Sequence, residues 1–234
     1  DKKGYVMATP VQAGAIPFFM EWKDVIAKAP TGTGKTFAFG IPMVEHINPE
    51  SKDVQALVLG GVEAVTLSNN HTRDFGDAGL RDTEAALAEY GVAGIPGNQG
   101  QCFELRHGNG DTLRLGAYVH PFNGSAKQME DGCKQLRDEG ADIIVAFMHA
   151  GAEKTYVPTK RQTALAHAAV KGGADVVVGT HPHVLQPIEA YQGSVILYSI
   201  GNFCFGGNRN PSDKNCLIFQ QTFEIASDGT VSDG

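Results

Sequence analysis

Residues 143–149 read Ile-Ile-Val-Ala-Phe-Met-His, and residues 175–183 read Asp-Val-Val-Val-Gly-Thr-His-Pro-His. Each stretch contains a run of apolar residues typical of a strand buried in a parallel sheet. Residues 158–171, which lie between the two runs, predict a helix. Because strands and helices alternate along this stretch, the sequence predicts an α/β fold.

The same alternation extends in both directions from this stretch. Further strands are predicted at 54–59, 62–67, 195–200 and 217–225, further helices from the N-cap Asp77 to Gly91 and at 125–139, a hairpin around Asn109-Gly110, and a frayed polar tail at 227–234. Only Gly60 and Gly61 separate the first two of these strands. Since a parallel crossover needs about a dozen residues, those two strands either pair as a tight hairpin or continue one another.

The amino-acid composition argues against some classes of function. The chain has 234 residues, of which 42% are hydrophobic and 19% charged, and its formal net charge is -7. This balance argues against a nucleic-acid-binding surface, which would carry clustered Lys and Arg. No apolar run approaches the ~18 residues of a membrane span, and no signal peptide is recognised at Asp1. We therefore expect no nucleic-acid or membrane partner, and cytoplasmic recombinant expression.

Residues 29–36 read Ala-Pro-Thr-Gly-Thr-Gly-Lys-Thr and match a Walker A phosphate-binding loop with Ala in place of the first glycine. A predicted strand at 24–29 and a predicted helix at 35–46 flank the loop, as such loops require. Loop N–H groups would bind phosphate, Lys35 would reach the β- and γ-phosphates, and Thr36 would bind Mg²⁺. The predicted binding residues are Thr31, Gly32, Thr33, Gly34, Lys35 and Thr36. The alternative is a glycine-rich turn without a ligand.

Upstream of this loop, the chain carries Gly4-Tyr5, Thr9-Pro10-Val11-Gln12 and Ala15-Ile16-Pro17. These residues resemble the Q motif of DEAD-box helicases, and the resemblance to that family extends over residues 1–59. A glutamine reads the adenine edge in the family, so the resemblance assigns that role to Gln12. It implies that this segment binds ATP or ADP with Mg²⁺.

The helicase resemblance ends at residue 59. The RNA-contacting motif, the Asp-Glu-Ala-Asp strand and the second RecA-like domain do not follow in this sequence. Without the acidic pair, no evident residue completes the Mg²⁺ site or positions water. We therefore expect no helicase activity and no efficient ATP hydrolysis, whereas nucleotide or phosphate binding remains an expectation.

A second group of polar residues follows the ends of predicted strands downstream. The group consists of Asn70, His71, His149, His181 and His183. Because the carboxyl ends of parallel strands meet at one edge of a sheet, we expect these side chains to come together there. The imidazoles of His149, His181 and His183, with an amide oxygen, suit Zn²⁺, Mn²⁺ or Fe²⁺. The alternative is a set of ordinary loop histidines. The four cysteines form no CxxC pair and predict no thiolate metal site.

From about residue 61 onward, the sequence resembles the CapA/PgsA family, which is associated with capsule and poly-γ-glutamate synthesis. The resemblance rests on residues 67–71 (LSNNH), 149–153 (HAGAE), 179–184 (GTHPHV) and 198–203 (YSIGNF). It implies the fold of the calcineurin-like metallophosphoesterases and a two-metal site that activates water. By resemblance, the metal ligands are Asn70, His149, His181 and His183, and His71 protonates the leaving oxygen.

The opening strands of that family are missing from this sequence. A strand with a Gly-Asp metal carboxylate and a strand with an Asn-Leu-Glu motif should precede residue 61, and the helicase-like segment contains neither. A two-metal site without its bridging carboxylate should bind metal weakly and catalyse poorly. The predicted metal site is therefore incomplete.

The two resemblances together predict a recombined or designed chimera, with a DEAD-box-like P-loop segment at 1–59 and a CapA-like metallophosphoesterase segment at 60–234. The borrowed β-α-β unit would cover the open sheet edge, which gives one composite, layered α/β domain. Three functions remain open: nucleotide or phosphate binding without intact parental activity, residual metal-dependent phosphoesterase activity, or an inactive scaffold. A domain-swapped oligomer is a further alternative for a recombined chain.

Overall fold

The computed structural model describes residues 62, 64–106, 112–202, 213, 215–221, 223–225 and 231–233, and the separate positions 13, 16 and 17. From residue 62 onward, these residues belong to one compact unit, Leu59–Phe205 with Pro211–Gly234. The predicted junction at Gly60-Gly61 lies outside the described residues, as do all the predicted nucleotide-binding residues, which are Gln12, Thr31, Gly32, Thr33, Gly34, Lys35 and Thr36. The P-loop unit and its place in a composite domain therefore stay predictions.

Strands and helices alternate through most of this unit, as the sequence predicts. In chain order the elements are β1 (Ala64–Leu67), α1 (Gly76–Glu89), β2 (Ala93–Pro96), β3 (Gln99–Arg106), β4 (Thr112–Val119), α2 (Ala126–Asp138), β5 (Ile143–His149), α3 (Lys160–Lys171), β6 (Val176–Thr180), β7 (Ile188–Tyr191), β8 (Ser194–Leu197), β9 (Phe223–Ile225) and β10 (Val231–Asp233).

Within the described ranges, six strands form the central sheet, in the order β3-β4-β5-β6-β8-β7. The four inner strands are parallel, and β3 and β7 are antiparallel to their neighbours. The predicted hairpin corresponds to the β3-β4 pair, whose turn lies outside the described residues. β1 and β2 form a separate parallel pair, and β9 and β10 form an antiparallel one. The unit is therefore α/β with mixed sheets, which confirms the predicted class.

Helices α2 and α3 pack on one face of the central sheet. Each begins with a capping box, formed by Ser125 and Gln128 in α2 and by Thr159 and Gln162 in α3. These boxes pair backbone N–H groups that a helix start otherwise leaves unpaired. The helices and the sheet bury a shared core that includes Met129, Ile144, Leu165, Val177 and Ile196. Burial of a large apolar side chain contributes roughly 1.5–3 kcal/mol, so this core holds the strands that carry the candidate site.

The opposite face of the sheet borders an apolar cavity of about 710 Å³. Its lining includes aliphatic side chains of the parallel strands, such as Val145 and Val178, and side chains of the 217–223 segment. Elsewhere on this side of the sheet, Ala117 and Val119 pack with Ile95 of β2. Among the described residues, no helix is both long enough and apolar enough to cross a membrane.

The prediction that Asp77 is the N-cap of the first helix is wrong. α1 begins at Gly76, its N-cap is Phe75, and Asp77 lies in the first turn. The preceding loop sets this start, because the Gly76 N–H donates to the Arg73 carbonyl at 2.9 Å. A carboxylate in the first turn still interacts favourably with the positive end of the helix dipole.

Two predictions near the end of the chain are also wrong. The predicted strand at 217–225 is confined to β9, because residues 217–221 form no strand. The Leu217 N–H donates to the Ile200 carbonyl at 2.9 Å, without a ladder along the segment. The tail that we predicted to fray contains β10, which pairs with β9 in an antiparallel ladder. Backbone pairing overrides the polar character of this tail, since a ladder requires no apolar side chains.

Candidate metal centre

Two neighbouring parallel strands bring three histidines together. β5 ends at His149, and β6 ends at Thr180, directly before His181 and two residues before Pro182. In the sheet register, His149 lies opposite Thr180. The ring centroids of His149 and His181 are therefore only 4.7 Å apart, and those of His181 and His183 are 6.2 Å apart.

The loop that follows β1 brings Asn70 to the same place. Nε2 of His149 donates to Oδ1 of Asn70 at 2.8 Å, and the Thr180 hydroxyl lies 2.8 Å from Nδ1 of His149. Within the loop, Oδ1 of Asn69 accepts from the His71 N–H at 2.7 Å. Two predicted metal ligands, Asn70 and His149, thus lie side by side, and a hydroxyl orients the ring of one of them.

The backbone that presents His181 and His183 is unusual. Both residues have positive φ, at 101° and 59°, a region that non-glycine residues seldom occupy and that is frequent at functional sites. The Lys154 N–H donates to the Pro182 carbonyl at 2.7 Å and holds the turn between them. Nδ1 of His183 donates to Oδ1 of Asn202 at 2.7 Å. A ring protonated at Nδ1 keeps its lone pair on Nε2, the form that can bind a metal ion.

An acidic residue completes this cluster. Glu153, His181 and His183 each offer one ligand atom, and these atoms lie within 4.8 Å of one another. We did not predict a role for Glu153 from the sequence, although it lies in the quoted stretch 149–153. The available signal was its place four residues after His149, on the loop that follows a histidine-bearing strand.

The surroundings of His149 and His181 favour the neutral form of both rings. Burial, followed by the neighbouring imidazoles of His181, His183 and His71, lowers the pKa of His149 to about 4. Burial also lowers the pKa of His181, and the carboxylate of Glu153 partly opposes that shift. Both rings are therefore neutral near pH 7, which is the state in which histidine binds a metal ion.

One buried nitrogen in the cluster lacks a partner. Nδ1 of His181 is buried and has no hydrogen-bond partner among the described residues. A buried polar atom left unpaired costs about 1–3 kcal/mol. The donor set of imidazoles, a carboxylate and an amide oxygen suits a divalent transition metal ion, and such an ion could satisfy this nitrogen. The residues present therefore fit a metal ion.

His71, the predicted proton donor, lies in the same loop as Asn70. Its Nδ1 donates to Oδ2 of Asp74 at 2.7 Å, and its side chain is 67% exposed. It is close enough to lower the pKa of His149 and of His181 through its charge. His71 is thus a solvent-accessible imidazole, oriented by a carboxylate, at the rim of the histidine cluster.

An aromatic ring borders the cluster on one side. The ring centroid of Phe122 lies 5.8 Å from that of His149 and 5.8 Å from that of His181. We did not predict a role for Phe122, which follows β4 at the same edge of the sheet. Its apolar ring therefore neighbours both imidazoles.

The structure thus brings the four predicted metal ligands and His71 to one edge of the sheet and adds Glu153 to them. Within the described ranges, Glu153, His181 and His183 form the one group of three or more histidine, cysteine or acidic side chains close enough to share an ion. The segment expected to lack the bridging carboxylate lies before residue 61, where the structure describes only positions 13, 16 and 17. Metal binding and the incompleteness of the site stay predictions.

These features define an α/β protein whose parallel strands end in a candidate divalent-metal centre. The chain belongs to the family of bacterial capsule synthesis proteins termed PGA_cap, whose sequence profile matches residues 30–207. This match confirms the resemblance to the CapA family. It begins upstream of residue 60, so the predicted boundary between the two segments stays a prediction.

Relatives of known name agree with this assignment. The chain is 32% identical over 208 residues to the capsule biosynthesis protein CapA of Bacillus anthracis, which covers 80% of this chain and 50% of that protein. It is 33% identical over 203 residues to the PGA biosynthesis protein CapA of Bacillus subtilis, which covers 79% of this chain and 53% of that protein. The chain spans about half the length of these relatives.

A separate stretch of the chain matches a different protein. It is 58% identical over 59 residues to the DEAD-box ATP-dependent RNA helicase CshA of Bacillus subtilis, which covers 25% of this chain and 12% of the helicase. The chain therefore combines a CapA-like segment with a helicase-like segment, which confirms the predicted chimeric composition.

Proposed function

We propose that the CapA-like segment binds a divalent transition metal ion and retains residual phosphoesterase activity. The observation that carries this proposal is the cluster of Glu153, His181 and His183, with ligand atoms within 4.8 Å of one another, beside the hydrogen-bonded pair of Asn70 and His149. An inactive scaffold would have no need for two strained histidine backbones and an unpartnered buried nitrogen at one position.

The residues that would hold the ion are Asn70, His149, Glu153, His181 and His183. A bound ion would polarise a phosphoryl oxygen and lower the pKa of a water molecule. Because the pKa values of His149 and His181 are lowered, these rings need lose no proton to bind metal near neutral pH. Thr180 and Asn202 fix the orientation of His149 and His183, and such outer partners support metal affinity.

His71 would supply the proton for the leaving oxygen. Asp74 accepts from its Nδ1, which fixes the ring orientation. The exposure of His71 suits a group that meets substrate and exchanges protons with water. General acid catalysis of this kind contributes typically about 10²- to 10⁴-fold to the rate. Phe122 would form an apolar wall beside the reacting group.

The relatives named above are capsule or PGA biosynthesis proteins, and a role of the ancestral site in that synthesis is part of the proposal. The test is hydrolysis of p-nitrophenyl phosphate by the whole chain, with Mn²⁺ and with EDTA. We expect Mn²⁺-dependent turnover that His181→Ala abolishes and His71→Ala lowers by about 100-fold. His167→Ala is the matched control, because His167 contacts Glu189 and Tyr191 away from the cluster. Turnover that is absent, or equal in His181→Ala, would contradict the proposal.

A second candidate function rests on the helicase-like segment. The chain is 58% identical over 59 residues to the helicase CshA. Residues 29–36 carry a Walker A pattern, and such loops bind nucleotide phosphates. We expect calorimetry to show ATP or ADP binding with Mg²⁺ that Lys35→Ala abolishes and Lys28→Ala preserves. If the nucleotide fails to bind, or binds Lys35→Ala equally well, this second function is wrong.

A further inference from the structure

Two buried glutamines connect the loops that carry the candidate metal ligands. Gln162 in α3 is fully buried, and Gln186, three residues after His183, is 7% exposed. Nε2 of Gln162 donates to Oε1 of Gln186 at 2.7 Å, and Nε2 of Gln186 donates to the Thr155 carbonyl at 2.7 Å. The chain of contacts therefore runs from α3, through the histidine loop, to the loop of Glu153.

The position of Gln162 is fixed on both sides. Its Oε1 accepts from the Thr159 N–H at 2.9 Å, as part of the capping box of α3. Its Nε2 also donates to the Tyr198 carbonyl at 3.2 Å. Each polar atom of this buried amide is thus paired, and a fully satisfied buried network is rigid. Gln162 links the start of the helix to the interior of the site.

The loop that carries Glu153 packs closely against Gln162 at Gly151. At Gly151, which has φ of 127°, a Cβ atom would lie 2.6 Å from Oε1 of Gln162. The amide of Gln162 therefore packs directly against the backbone two residues after His149 and two residues before Glu153. Together with the bond from Gln186 to Thr155, this contact holds the loop at two points on either side of Glu153.

From these contacts we infer that Gln162 and Gln186 are positioning residues, which hold Glu153 at the distance from His181 and His183 that metal binding requires. This inference rests on the proposed metal site. Neither glutamine would contact the ion. Outer residues that orient metal ligands typically change affinity by about 10- to 100-fold when they are replaced.

The test is the affinity of the whole chain for Mn²⁺, measured by titration calorimetry for the wild type and for Gln186→Met and Gln162→Met. Methionine has a similar volume but cannot form these hydrogen bonds. We expect each variant to weaken binding by about 10- to 100-fold, and the double variant to weaken it no further, because both changes break one chain of contacts. Ser194→Ala is the control: it removes a buried hydrogen bond to the Ala174 carbonyl at the far end of β8 and should leave the affinity unchanged.

Amide hydrogen exchange measured in EDTA tests, without bound metal, whether the two glutamines hold the loop. We expect Gln186→Met to accelerate exchange in residues 150–157 and leave α2 unchanged. If the wild type binds no Mn²⁺, the proposed metal site is wrong, and the exchange rates still decide whether the glutamines hold the loop. Unchanged exchange in residues 150–157, unchanged Mn²⁺ affinity in both methionine variants, or an equal loss of affinity in Ser194→Ala would overturn the inference.

Discussion

His149 and Asn70 are 79 positions apart in the sequence, and Nε2 of the histidine donates to Oδ1 of the asparagine at 2.8 Å. The bond ties the end of a central strand to the loop after β1, which belongs to a different sheet. The bond therefore holds the loop that carries the general-acid candidate His71 next to the histidine cluster.

Replacing Asn70 tests this relation. Asn70→Ala removes the partner of His149 and one candidate ligand, so we expect Mn²⁺ affinity to fall about 10-fold or more and the free energy of unfolding to fall by about 1 kcal/mol. Calorimetry and urea denaturation measure the two effects. Asn123→Ala, at an exposed asparagine, is the matched control. Equal affinity in Asn70→Ala and the wild type would exclude Asn70 as a ligand.

The stability of the protein should depend on pH through buried histidine. Burial first, and the charge of Arg161 next, lower the pKa of His120, although its bond to the Ser125 carbonyl opposes this. The unfolded chain therefore binds a proton more readily than the folded chain, so the free energy of unfolding falls as the pH drops below about 6.5. His149, with a pKa of about 4, acts in the same direction down to that pH.

Urea denaturation between pH 7 and pH 5 measures this dependence. His120→Gln can still donate to the Ser125 carbonyl but does not titrate, so we expect its stability to fall less over this range than that of the wild type. The remaining slope belongs to His149 and other groups. An identical slope in the two proteins would show that His120 does not contribute.

Replacement of Gly132 by alanine should destabilise the protein, although this change usually stabilises a helix. Alanine in place of glycine in a helix interior typically gains about 1 kcal/mol. A Cβ atom at Gly132 would, however, lie 2.0 Å from the ring of Tyr118. We therefore expect Gly132→Ala to destabilise the protein by about 1–3 kcal/mol, measured by urea denaturation. In a Tyr118→Ala background the penalty should disappear. A stabilised Gly132→Ala variant would contradict the packing described.

Arg137 should not tolerate replacement by lysine. Its guanidinium donates to the carbonyls of Ala141, Asp142 and Gly173 and to the carboxylate of Asp175, all within 2.9 Å. A lysine ammonium cannot reproduce this planar fork. We expect Arg137→Lys to lower the free energy of unfolding by about 1–2 kcal/mol, whereas Arg81→Lys on exposed α1 should change it by less than about 0.5 kcal/mol. Equal effects would indicate that the fork is not stabilising.

Local sequence signals were sufficient for much of the fold. The apolar runs at 143–147 and 176–178 predicted β5 and β6. The rule that parallel strand ends share an edge predicted that His149 and His181 would meet. β2 was not predicted because Gly94 and Pro96 interrupt its apolar pattern. β7 was not predicted because its residues alternate between exposed and half-buried, so it has no continuous apolar run.

The residues that support the site could not be predicted from the sequence. Glutamine is usually a surface residue, so the sequence gives no sign that Gln162 and Gln186 have a structural role. Their burial and the hydrogen bond between them, 24 positions apart in the sequence, reveal that role. Glu153 is one acid among 26, and its distance to His181 depends on the folded backbone. Such contacts between residues far apart in sequence follow from the tertiary packing, which no local pattern encodes.

The most direct test of the proposed metal centre is anomalous diffraction at the manganese edge from crystals of the whole chain soaked with Mn²⁺. We expect a strong peak within coordination distance of Glu153, His181 and His183, and no peak at that place in His181→Ala. No peak at this cluster in the wild type, or an unchanged peak in His181→Ala, would contradict the account.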